Sequence, residues 1–339
     1  MTQLFWGQRV VLPEVTISTA QTAAIVDGPL SSSVPVRRIG SSDLRVFPLA
    51  LSGKIFGSEA DAGSAAAILD SYTGHGGNFI DTADSYADGE SERIIGDWMR
   101  GRKNRDDLVV ATKIGKSREN PGLRGRAIRQ AVAASLRRLD VDHIDLLYLH
   151  IDDTDVDFEE TLLAVDEQIR AGRVRYFGGS DHTGNRLIEA RVAAGQIGVA
   201  PMVALQNQYN LMERDEYEGG LAHVARQQNL GVMPRFALAA GFLAGGYRTR
   251  ADLRGRRGRG ASKHLTRRGQ KVLASLDAVA AQHEVSVSTI ALAWLLTKPF
   301  VVAPVASASR ADQVIDLTAA ASVSLTRQQI TELDRVSAT

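Results

Sequence analysis

From Leu44 onwards apolar and polar positions follow a repeating order. A short apolar or β-branched run gives way to a polar loop, then to a stretch with apolar residues every three or four positions. Runs of the first kind are RVFPLALS, NFID, DLVVATKI, HIDLLYLH, RVRYFGGS, MVALQNQ, GVMPRFAL and FVVAPVAS. Each reads as a strand. Among the intervening stretches, GLRGRAIRQAVAASLRRL sets Ala127, Ile128, Ala131, Val132, Leu136 and Leu139 on one face of a helix. SVSTIALAWLLTKP offers Ser286 as an N-cap and stops before Pro299.

Eight such units without a break in composition predict an α/β fold, a closed (β/α)8 TIM barrel, over residues 35–339. A doubly wound sheet usually places a G-x-G-x-x-G turn after its first strand. Here that strand ends in LSGKIFG, which has none. RRIGSSDLRV reads as a small N-terminal hairpin turning at GSSD, placed to cap the bottom of the barrel. The chain closes on a C-terminal helical segment. Residues 1–34 lie outside the repeat, lack the continuous apolar core of a secretory signal and end in a linker-like SSSV, so a disordered extension is expected there.

Composition narrows the function classes. Apolar residues make up 44% of the 339 and charged ones 23%, a soluble globular mixture. The net charge of +1 points to no nucleic-acid or other polyanionic partner. With no cysteine the chain has no disulfides, thiolate metal sites or cysteine nucleophiles, which fits a cytoplasmic protein. No apolar run reaches the ~20 residues of a membrane-spanning helix. Nothing in the pattern sets an oligomeric state.

A barrel carries its active site at the C-terminal ends of the strands. Those ends hold Asp81, Lys113, His150, Ser180 with Asp181, Gln206 and Arg235, and Tyr86 follows just past Asp81. Any one of these would pass as an ordinary solvent-facing polar residue; six consecutive tips are harder to set aside. An ammonium beside a tyrosine stabilises phenolate and should lower the phenol pKa from ~10. Asp81 would hold Lys113 charged, and a His150 ring N–H would orient a substrate oxygen. That is a kit for protonating a carbonyl oxygen while hydride reaches its carbon. Asp84, Asp88 and Glu90 read as a solvated loop and a helix cap. The carboxylates crowd onto one loop, which disfavours glycoside hydrolysis. No second histidine stands at ligand spacing from His150, so no metal is expected. A G-x-S-x-G elbow is absent, which weakens a hydrolase reading.

In GGNFIDTADSYADGESERIIGDWM, LVVATKIG and HIDLLYLH the sequence resembles the aldo-keto reductase family, from about Val36 to Ser337. The resemblance implies a catalytic tetrad of Asp81, Tyr86, Lys113 and His150 and an NADPH cofactor. It further implies nicotinamide carboxamide contacts at Ser180 and Asp181 in GSDH and at Gln206 in ALQNQYNL. In PRFALAAGFLAGGYR it implies a pyrophosphate loop that includes Arg235, Phe236, Leu238, Gly241 and Arg248. VASASRADQV would grip the adenosine end through Ser307, Ser309, Arg310 and Gln313, with the 2′-phosphate near Ser309 and Arg310. Gly53 and Lys54, after the first strand, complete the expected cofactor contacts.

The sequence departs from the family pattern in three places. Asp181 replaces an asparagine; Arg235 and Phe236 replace a stacking aromatic and a serine; Leu317 replaces an asparagine near adenine. The run GGYRTRADLRGRRGRGASK admits a solvated loop, a cationic flap for cofactor phosphates or an anionic substrate, or a nucleic-acid contact. The implied activity is NADPH-dependent reduction of an aldehyde or ketone. The alternative is a nicotinamide-binding regulatory subunit with slow residual turnover, as some relatives are. Ketosugars, aliphatic ketones and aromatic aldehydes all stay open as substrates, because specificity in this fold lies in the loops.

Overall fold

The computed structural model describes residues 36–253 and 255–338, and the expected extension at 1–34 lies outside them. An antiparallel pair, β1 (Arg37–Arg38) and β2 (Arg45–Val46), precedes eight parallel strands. These are β3 (Ala50–Ser52), β4 (Phe79–Asp81), β5 (Val109–Ile114), β6 (Ile144–Leu149), β7 (Val174–Ser180), β8 (Ala204–Gln206), β9 (Gly231–Val232) and β10 (Val305–Ala306). Each pairs with its sequence neighbour, and β10 pairs with β3. Val232 closes the circle by bridging to Val301, its N–H donating to Phe300 O (2.9 Å) and its carbonyl accepting from Val302 N (2.8 Å). The result is the expected (β/α)8 barrel. One expected strand divides: in RVFPLALS the first two residues serve the hairpin and the last three the barrel, with Pro48 between them.

The helices around the barrel are α1 (Ala62–Gly74), α2 (Glu90–Arg102), α3 (Gly125–Leu139), α4 (Phe158–Arg170), α5 (Gly184–Ile197), α6 (Asp215–Glu218) and α7 (Gly220–Gln227). After β9 come α8 (Gly255–Ala261), α9 (Arg267–His283), α10 (Val287–Leu296), α11 (Ala311–Ala319) and the C-terminal α12 (Arg327–Ser337). Ser286 caps α10 as expected, its side chain accepting from Thr289 N. Helix α10 is apolar nearly all round because it is buried nearly all round. No single described helix is long and apolar enough to cross a membrane. In α3 the buried face carries Ile128, Ala131, Val132 and Leu139, with Ala127 and Leu136 half-buried. The glycine–arginine run is not an open loop: it contains a short 3-10 turn at Arg250–Asp252 and then α8.

Strand alternation divides the core in two. Ala50, Phe79, Ala111, Leu146, Tyr148, Ala204 and Met233 belong to a cluster inside the barrel, which Ile39, Leu44 and Val46 of the hairpin join. Leu51, Ile80, Val110, Leu147 and Leu205 belong to the layer beneath the helices. The hairpin therefore plugs the barrel bottom. Its turn needs Gly40: φ is +51°, and a Cβ there would lie 2.2 Å from Val203 O.

Candidate active site

The inner cluster also fixes what stands above it. Two residues on from Phe79, Ala111, Tyr148, Ala204 and Met233 come Asp81, Lys113, His150, Gln206 and Arg235. Period-two alternation sends each toward the axis one layer higher, at the C-terminal rim. The strands are staggered: Asp81 lies opposite Ala111 and Lys113 opposite Tyr148, so β5 and β6 each run two residues past the neighbour's tip to bring Lys113 and His150 to the rim, while Ser180 lies opposite Gln206.

Lys113 and Asp81 are each 1% exposed and meet at 2.6 Å. The ammonium also donates to Thr82 O (2.8 Å), and Gln206 Nε2 donates to the other Asp81 oxygen (2.8 Å). Burial works against the Lys113 charge, but Asp81 and Tyr86 outweigh it and raise its pKa. Tyr86 reaches the same point from the loop after β4, with Lys113 Nζ 5.2 Å from its ring centroid. Its pKa does not fall as the sequence led us to expect. Burial raises it by more than the ammonium lowers it, so the phenol keeps its proton. His150 stands edge-on to Tyr86, ring centroids 6.1 Å apart. Burial first, then the charges of Lys113, Lys116, Arg235 and Lys54, push His150 down to about 2. The ring is neutral, and its buried Nδ1 has no hydrogen-bond partner among the described residues. The tetrad predicted from the sequence is thus brought together as one contiguous group.

The loop carboxylates behave less uniformly. Asp88 and Glu90 are exposed, as expected, but neither caps α2, whose N-cap is Gly89 without a side-chain bond. Asp84 is 2% exposed, not solvated. Burial, then the neighbouring Glu92, raises its pKa to about 7. Glu92 itself is buried and holds Thr112 Oγ1 and Arg138 Nε, each at 2.6 Å, joining α2, β5 and α3 behind the Tyr86 loop. Neither role was legible, because helix periodicity marks Glu92 only as a polar position.

Around the rim, Ser180 Oγ is buried with no partner among the described residues. Asp181, at φ +59°, accepts from Arg235 Nε (2.8 Å) and Nη2 (2.6 Å), and Lys116 lies 3.7 Å from its second oxygen. Lys116 escaped the sequence reading because strand alternation ends at Gly115, whose φ of +108° turns the chain. Phe236 is 42% exposed, with the Arg235 guanidinium 4.9 Å and Lys54 Nζ 4.8 Å from its ring centroid. Phe236, Ala239, Ala240 and Gly241 all take positive φ, so backbone strain concentrates beside the rim. Gly53 is needed for close approach: a Cβ there would meet Ser91 Oγ at 2.6 Å. Leu238 is half-buried in the same loop. Further out, Arg248 pairs through both terminal nitrogens with Asp277 on α9 (2.7 Å each). Past β10, Ser307 is half-buried, Ser309 N donates to Gln313 (2.8 Å), and Arg310 lies on Asp312 (2.9 Å). Among the described residues no group of three or more acidic or histidine side chains could hold a metal ion.

The sequence profile of the Aldo/keto reductase family matches residues 52–338. The chain belongs to that family. It is an oxidoreductase of carbonyl and hydroxyl groups, in a family that uses nicotinamide dinucleotides. Among its curated relatives is norsolorinic acid reductase B of Aspergillus parasiticus, 32% identical over 87% of this chain and 81% of its own length. An aryl-alcohol dehydrogenase of Pestalotiopsis microspora is 29% identical over 87% and 80%. A probable voltage-gated potassium channel subunit beta of Arabidopsis thaliana is 30% identical over 82% and 88%.

Proposed function

We propose that the protein reduces an aldehyde or ketone to the alcohol with NADPH, Tyr86 supplying the proton. The observation that carries this is the buried Lys113–Asp81 pair set against Tyr86, with a neutral His150 beside the phenol. When bound, NADPH supplies the hydride that reaches the carbonyl carbon. The chain does the rest. His150, neutral, donates a ring N–H to the carbonyl oxygen and aims it at the Tyr86 hydroxyl. Tyr86 gives up its proton as negative charge grows on that oxygen, and the adjacent ammonium stabilises the phenolate left behind. Asp81, braced by Gln206, keeps Lys113 charged and in place.

The cofactor fits the residues present. A buried serine hydroxyl with no protein partner at the rim suits the carboxamide of a nicotinamide, with Asp181 and Gln206 flanking it. The strained loop from Arg235 to Gly241 would follow the pyrophosphate. Ser307, Ser309, Arg310 and Gln313, gathered past β10, would take the adenosine end, and exchange of Asp312 for a 2′-phosphate at Arg310 favours NADPH over NADH.

A regulatory nicotinamide-binding subunit is the second reading, favoured by the channel-subunit relatives. Multiple-turnover NADPH oxidation with simple aldehydes separates the two. Tyr86→Phe should then cost ~10²–10⁴ in turnover while leaving NADPH affinity nearly unchanged, because only the acid is removed. A variant that kept most of the wild-type rate, in an assay limited by chemistry, would refute the role given to Tyr86.

A further inference from the structure

The mouth of the site carries more positive charge than the proposed reaction needs. The reaction uses one cation, Lys113, and that cation is neutralised by Asp81 at 2.6 Å. Lys116 and Arg235 stand outside the pair and share the single carboxylate of Asp181. The division is uneven. Arg235 occupies one oxygen through two nitrogens at 2.6 and 2.8 Å, whereas Lys116 approaches the other at only 3.7 Å. Among the described residues Lys116 forms no other ion pair, and its side chain is 40% exposed. A long ammonium stem held this loosely can turn to a new anion with little loss. Both cations lie near enough to the reacting groups for their charge to be felt, Lys116 and Arg235 at His150 and Arg235 at Tyr86.

Resting on the reductase reading above, we propose that the substrate is an anionic carbonyl compound, and that Lys116, with Arg235 behind it, binds its negatively charged group. The carbonyl lies between Tyr86 and His150, and the anion, a carboxylate or a phosphate, extends outward to the Lys116 side of the rim. Asp181 serves as the placeholder that keeps two cations at the mouth from repelling one another until the substrate arrives. Lys116 acts on binding and takes no part in the chemical step.

The test uses the full chain with saturating NADPH and a matched pair of aldehydes, 4-carboxybenzaldehyde and its neutral methyl ester. Wild-type kcat/KM should favour the carboxylate by about fivefold, the scale of one half-exposed ion pair at its upper end. The advantage should sit in KM and shrink as KCl rises toward 0.5 M, because exposed charges are screened. Lys116→Gln should remove most of the preference by raising KM for the carboxylate, with turnover of the ester unchanged. Equal kcat/KM for the two aldehydes, or a preference that survives in Lys116→Gln, overturns the proposal. Should neither aldehyde be reduced, calorimetric titration of benzoate against benzamide still decides the anion site. Benzoate must bind several-fold more tightly to wild type than to Lys116→Gln, and benzamide equally to both; any other pattern overturns it.

Discussion

Lys113→Met should damage folding and activity by separable amounts. In the folded chain Asp81 is 1% exposed and its charge is answered at 2.6 Å by Lys113; Gln206 Nε2 contributes a neutral hydrogen bond. Methionine fills similar space and removes the cation, leaving a buried carboxylate with one amide donor. Breaking a buried pair from one side typically costs ~3–5 kcal/mol, far more than the pair itself is worth. The loss of the bond to Thr82 O falls within the same figure. The melting temperature should drop by about 5–8 °C. Asp81→Asn on that background leaves an amide oxygen for Gln206 and no charge, so the double variant should regain most of the stability. It should regain none of the activity, because no ammonium remains to stabilise the Tyr86 phenolate. Urea denaturation of the wild type, both single variants and the double variant closes the cycle, with NADPH oxidation measured on the same samples. A Lys113→Met cost below ~1 kcal/mol, or single losses that add within ~0.5 kcal/mol, would refute the claim that the two charges are buried as one unit.

Two further tests follow from charges nearby. Asp181→Asn and Arg235→Tyr should each weaken NADPH binding by about 1–2 kcal/mol, less than a fully buried pair because both side chains are about a third exposed; the double variant should recover much of the loss by fluorescence titration, and strict additivity would show that the pair does not act through the cofactor site. Asp84, with a pKa raised to about 7, binds its proton more tightly folded than unfolded. Its cost to stability is therefore absent below pH ~3.8, grows as pH rises, and is complete above pH ~7. Asp84→Asn should accordingly raise the melting temperature at pH 8 and leave it unchanged at pH 3.5; an equal gain at both would remove ionisation as the cause.

What the sequence alone determined is whatever depends on local period. Strands such as NFID and HIDLLYLH are short apolar runs between polar loops, and α3 repeats every three to four residues, so the (β/α)8 order was legible in the sequence. The gathering of the expected tetrad was legible for a related reason. Its aspartate, lysine and histidine end successive strands, and in a barrel the strand ends converge whatever lies between them. Other features depended on residues far apart in the chain. Asp84 reads as a loop carboxylate, and only the packing of α2 and α3 around Glu92 and Arg138 buries it and raises its pKa. The direction of the Tyr86 shift was likewise a contest between burial and a nearby cation, and sequence names the cation but not the burial. Lys116 entered the site because Gly115 breaks the alternation that would have placed it. Desolvation and charge proximity are set by distances in three dimensions, so no one-dimensional pattern carries them, and the tertiary structure alone decided them.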